Sequence, residues 1–132
     1  MKIFATICLA IICLNASAPD RFAALSRCES NDRDAAVGAS GERGRYQTME
    51  FVWKGATNIP FSMATNAATA LAVAQAIQAG RTARFVALWK RQPTDAEWLL
   101  LWHRPATVLG GRKPTARELD RANRFAAICA KP

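Results

Sequence analysis

The chain reads as an all-α domain, with a short hairpin as the most β-structure it can hold, and three observations carry that reading. Thr94-Asp95-Ala96-Glu97 and Thr115-Ala116-Arg117-Glu118 each follow a proline and match a capping box, in which a hydroxyl and a glutamate satisfy each other's backbone amides at a helix start. Residues 66 to 79 are alanine-rich and hold no helix breaker, which makes this the best-specified helix in the chain. Strict apolar and polar alternation does not persist beyond the region 38 to 48.

Taken in order, Met1-Lys2, an apolar run from Ile3 to Leu14 and the small residues Asn15-Ala16-Ser17-Ala18 have the charge, length and ending of a secretory signal. The run is shorter than the ~20 apolar residues that span a bilayer, so it predicts no stable membrane insertion once removed. Residues 19 to 132 are then enough for one compact domain and too few for two, and they predict a secreted or periplasmic monomer. Arg21 to Cys28 carries Phe22, Leu25 and Cys28 on one stripe, and the short polar side chains of Glu29-Ser30-Asn31-Asp32 should end that helix. Gly38, Gly41 and Gly44 mark residues 31 to 45 as a long structured loop, the place for the short hairpin.

Tyr46, Met49, Val52 and Trp53 then fit one helical face, which Asn58-Ile59-Pro60 closes. Gly80 permits a kink or stop after the alanine-rich helix, and Phe85, Leu88 and Trp89 continue the pattern from Arg81 to Arg91, as one bent helix or two. The first capping box opens an apolar helix through Trp98 to His103, interrupted by Pro105. The second opens a helix with Leu119, Ala122, Phe125, Ala126 and Cys129 along one side.

Of the four cysteines, Cys8 and Cys13 fall in the leader, which leaves Cys28 and Cys129 near opposite ends of the domain. In an oxidising compartment such an isolated pair reads as a disulfide, worth roughly 4 to 5 kcal/mol in the chain-entropy model. The formal net charge is +8, and only Lys2 of the basic residues lies in the leader, so the domain should drift toward anionic polymers. Charge alone does not indicate nucleic acid, because no alternation of basic and aromatic residues typical of single-strand binders is present.

His103 is the sole histidine, and no Gly-x-Ser-x-Gly elbow accompanies it, which removes the ordinary serine-hydrolase arrangement. One histidine and one cysteine pair make a poor zinc set, no phosphate-cradling glycine loop has the required spacing, and no metal or cofactor is expected. The remaining candidate is Glu29, a carboxyl group at the end of a short helix, facing a loop that closes in amide and aromatic side chains. A general acid that cleaves a glycosidic bond is commonly built this way, from a carboxyl whose apolar surroundings let it hold a proton. Such surroundings are available in Phe22, Leu25, Tyr46, Met49 and Trp53, provided that Arg27, Arg43 and Arg45 point elsewhere. Asp32, Asp34 and Glu42 are the nearby acids that could serve as a second carboxylate.

The order Glu29-Ser30, a variable loop, then Gly41-Glu42-Arg43-Gly44-Arg45-Tyr46-Gln47-Thr48-Met49 and a following helix resembles the lytic transglycosylase and goose-type lysozyme family, over about a quarter of residues 19 to 132. The resemblance implies a lysozyme-like helical fold with a substrate cleft, peptidoglycan glycan strands as partner, and Glu29 as the single catalytic residue at the bond between N-acetylmuramic acid and N-acetylglucosamine. It implies that Ser30, Tyr46, Gln47 and Met49 bind substrate, with His103 standing where the family places an asparagine on a later helix. The segment Leu101-Trp102-His103-Arg104-Pro105 departs from the family pattern by lacking its small residues. Two other functions fit the composition: a catalytically silent wall-binding or envelope-assembly protein, and a cationic protein acting on membranes or nucleic acid.

Overall fold

The computed structural model describes residues 20–131, so the expected leader, with Cys8 and Cys13, lies outside the described residues. Helices α1 (Arg21–Ser30), α2 (Glu50–Ala56), α3 (Ala67–Trp89), α4 (Asp95–His103), α5 (Pro105–Leu109) and α6 (Ala116–Cys129), with one 3-10 helix (Phe61–Thr65) before α3, make up an all-α fold. Its only β pairing among the described residues is two isolated bridges, Val37 with Arg43 and Arg43 with Thr48, where the short hairpin was expected.

Helix α4 is the centre of the molecule. Trp98, Leu99, Leu100, Leu101 and Trp102 are all buried, as a helix apolar on every side must be. It packs chiefly against α6 and also against α3 and α5. The Trp98 ring stacks on Phe125 of α6 at 5.6 Å between centroids, and Phe22 of α1 meets Trp98 edge-on at 5.1 Å. Leu25 and Phe125 are fully enclosed, so one core joins the first helix to the last.

Both capping boxes form, at Thr94 and at Thr115. Around the first, Arg91 grips Glu97 with two hydrogen bonds of 2.7 and 2.6 Å, and the Thr94 amide donates to the same carboxylate at 2.9 Å. These donors hold the Glu97 carboxyl down at about 2, the Arg91 guanidinium contributing most. Because the folded state favours the anion, the contribution is complete above the ordinary value of 4.5 and is lost as pH falls from there through about 2. Arg91 is half exposed, so the screened contribution is about 1 kcal/mol. Denaturant midpoints should therefore drop between neutral pH and pH near 2, and by less in Arg91→Gln.

Two expectations change in detail. Residues 46 to 49 are not helical: Gln47 takes a left-handed backbone with φ of 47°, Met49 is the extended N-cap of α2, and the helix runs only from Glu50. Conversely, Gly80 does not stop α3, which is one helix from Ala67 to Trp89 and not two. A Cβ at Gly80 would meet nothing within 4 Å, so Gly80→Ala should raise stability by about 0.5 to 1 kcal/mol, read as a higher thermal midpoint.

The expected disulfide is not formed. Cys28 is an exposed free thiol on α1, and Cys129 is a free thiol buried in the core near the end of α6. Burial pushes the Cys129 thiol up to about 11, and burial followed by the Glu29 charge raises Cys28. Both are kept protonated, so neither has the character of a reactive thiolate.

Candidate active site

Glu29 lies in the last turn of α1, which stops because Asn31 and Asp32 both adopt left-handed backbone, with φ of 54° and 62°. Their amides close the helix on the Arg27 and Ser26 carbonyls. A carboxylate there faces the negative end of the helix dipole and needs cationic company. Two later helices supply it. Arg121 of α6 donates to Glu29 Oε1 at 2.8 Å, and the His103 Nε2 of α4 lies 2.9 Å from the same oxygen. The Glu29 side chain is only 5% exposed, and among the described residues no hydrogen bond reaches its Oε2.

The carboxyl lines a groove of about 990 Å³. One wall comes from the glycine loop and the start of α2, through Gln47, Thr48, Met49 and Phe51. The other comes from Trp102 and His103 at the end of α4 and from arginines of α5's cap and α6. Arg81 of α3 holds this second wall in place: its guanidinium donates to the Leu101 and Trp102 carbonyls at 3.1 and 2.7 Å and lies 5.6 Å from the Trp102 ring centre. It thereby satisfies carbonyls that the end of α4 leaves without helical partners.

Of the expected site residues, Glu29, Gln47, Met49 and His103 come together along this groove. Ser30 and Tyr46 do not line it. The Ser30 hydroxyl donates to the Arg45 carbonyl at 2.9 Å and accepts from the Arg33 amide at 3.1 Å, which ties α1 to the loop. Tyr46 is 4% exposed and packs edge-on to Phe22, and burial pushes its phenol up. Both are structural supports beneath the site. Gln47 contributes its position more than its amide nitrogen, because Nε2 donates to the Gly44 carbonyl at 2.8 Å.

The arginines close to Glu29 in sequence are occupied elsewhere. Arg45 forms a two-pronged bridge to Asp34, Arg43 lies over the Phe61 ring and Arg27 pairs with Asp32. The Arg45 bridge holds the Asp34 carboxyl below its usual range. Of the three nearby acids, only Glu42 lines the groove, and its carboxylate accepts from the Ser40 amide at 3.0 Å. Arg121 is the residue that sequence reading missed. It flanks Ala122 on the apolar stripe of α6, a sign that it reaches inward, but nothing local identifies a partner 92 positions away.

Among the described residues no group of three His, Cys, Asp or Glu side chains could hold a metal ion, and no helix is long and apolar enough to cross a membrane. The fold and site thus define a small helical domain with a carboxyl group recessed in a basic groove. No family model, curated protein or solved structure matches the chain.

Proposed function

We propose that the chain is a peptidoglycan-cleaving glycosidase of lytic transglycosylase or muramidase type, working with Glu29 as its one catalytic residue. The observation that carries this reading is a carboxyl group almost enclosed by protein yet lining a groove of about 990 Å³, with one oxygen bound and the other not hydrogen-bonded. In the reaction, the Glu29 carboxyl gives its proton to the bridging sugar oxygen and the bond to the anomeric carbon breaks. The carboxylate then takes a proton from the attacking hydroxyl, which belongs either to the muramic residue itself or to water.

Arg121 and His103 support the step after proton donation. Negative charge develops on Glu29 as the proton leaves, and donors already fixed on Oε1 stabilise that charge without rearranging. A carboxylate already held by two side chains also suits a second reading, a catalytically silent wall-binding protein that retains the groove. Digestion of purified wall separates them. Soluble muropeptides analysed by mass are the expected result, those lighter than the hydrolytic species by one water marking internal attack by the sugar. Binding to wall material without any released fragment would leave the silent reading standing. A secreted or periplasmic monomer is part of the same proposal, and the leader-like residues 1 to 18 support it.

A further inference from the structure

The groove is electrically lopsided. Arg104, between α4 and α5, and Arg117, Arg121 and Arg124 of α6 all line it. Arg104 is paired with Glu118 at 3.0 Å and Arg124 with Asp120 at 2.9 Å, the latter with both partners largely exposed. Arg121 is held by Glu29, and Arg117 has no ion pair among the described residues. Arg117, Arg121 and Arg124 are spaced four and three apart on α6, which puts them on one face of the helix.

A neutral chain of N-acetylated sugars offers these guanidiniums no anionic partner. Their planar, two-pronged donors fit carboxylates. We propose that the α6 wall recognises carboxylates carried by substituents of the glycan, and that Arg117 and Arg124 are specificity-determining residues for acidic strands over neutral ones. This rests on the glycan-cleaving reading of the groove. A carboxylate arriving beside Arg121 would also compete with Glu29 for its guanidinium, so that recognition of the substituent loosens the resting ion pair. Two substituents carry the required group: the lactyl ether of a muramic residue without a peptide, and the peptide stem where one is attached, since its amide bond consumes the lactyl carboxylate.

The test uses Glu29→Gln protein, which keeps the groove without turnover, titrated by tryptophan fluorescence, since Trp102 lines the site. The probes are neutral N-acetylglucosamine oligomers, stem-free glycan strands ending in lactyl carboxylates, and soluble uncross-linked strands with stems. The expected result is at least ~10-fold tighter binding of one or both acidic strands than of the neutral oligomer, a preference that disappears when Arg117→Gln and Arg124→Gln are added. Preference for stem-free strands alone assigns the lactyl carboxylate, preference for stem-bearing strands alone assigns the carboxylates of the peptide, and preference for both assigns a wall that reads either carboxylate. Equal binding of neutral and acidic strands overturns the proposal, as does a preference that survives the double substitution. Tight binding of single-stranded DNA through the same arginines, with no glycan preference, also overturns it. Far-ultraviolet dichroism verifies folding, with Arg117→Lys and Arg124→Lys as the replacement pair, expected to weaken the preference by removing the fork. The enzymatic reading is scored separately, by whether wild-type protein cleaves any of the three materials.

Discussion

Glu29→Gln is expected to lower the rate of glycan cleavage by about 10³-fold while leaving the fold intact, within the range that a positioned general acid contributes. The amide has nearly the shape of the carboxyl and can still accept from Arg121 and His103 through its oxygen, but it cannot donate and regain the transferred proton. Arg121 is half exposed, so water can replace the lost anion, and the thermal midpoint should move little. Cleavage of purified wall material by the variant at a rate near wild type would remove Glu29 from the chemistry. Glu42→Gln is the internal control: it lines the same groove, and a comparable loss there would transfer the role of acid or base to a second carboxylate.

Most of the fold was legible because it is written locally. Each capping box is a four-residue signal in which the same side chains both predict and make the helix start, and Thr94 and Thr115 do so here. The uninterrupted apolar run in α4 announced burial on all sides. Local signals misled where a tertiary contact overrode them. Tyr46 and Met49 fit a helical spacing, yet Gln47 is drawn into left-handed backbone and its amide bonds back to Gly44, so the helix begins later. Gly80 had the residue type of a break but sits in α3 with open space around it, and the helical hydrogen bonds on either side carry the chain through.

The site was legible in its centre and illegible in its electrostatics. Glu29, Gln47, Met49 and His103 converge as the motif order suggested. The arginines weighed as neighbours of Glu29, Arg27, Arg43 and Arg45, are the ones near it in sequence, because proximity along the chain is the one available guide. The true partner comes from the last helix, through packing of α1 on α6 that no spacing rule encodes. The cysteines show the same limit: their number predicts a bridge, while in the structure Cys28 is an exposed free thiol and Cys129 a buried one.

Gly44→Ala is expected to cost about 3 kcal/mol or more. Two separate penalties coincide there. The backbone has φ of +76°, where an L side chain costs roughly 1 kcal/mol, and a Cβ would overlap the carbonyl oxygen of Ala64. That carbonyl cannot retreat easily, because Ala64 is 1% exposed in the 3-10 helix that packs on α2 and α3. Gly41 separates the two penalties. Its φ is +88°, but a Cβ there would meet nothing within 4 Å, so Gly41→Ala should carry the conformational cost alone, about 1 kcal/mol. Urea midpoints of the two variants should therefore differ by at least ~2 kcal/mol. Equal midpoints would mean that the Ala64 contact relaxes away, and that the glycine is needed only for its backbone angle. The consequence reaches the groove, because the Gly44 carbonyl accepts from both the Gln47 amide and its side chain, at 3.1 and 2.8 Å. Displacing it moves the wall opposite α6, so Gly44→Ala should lose glycan binding along with stability, whereas Gly41→Ala should keep it.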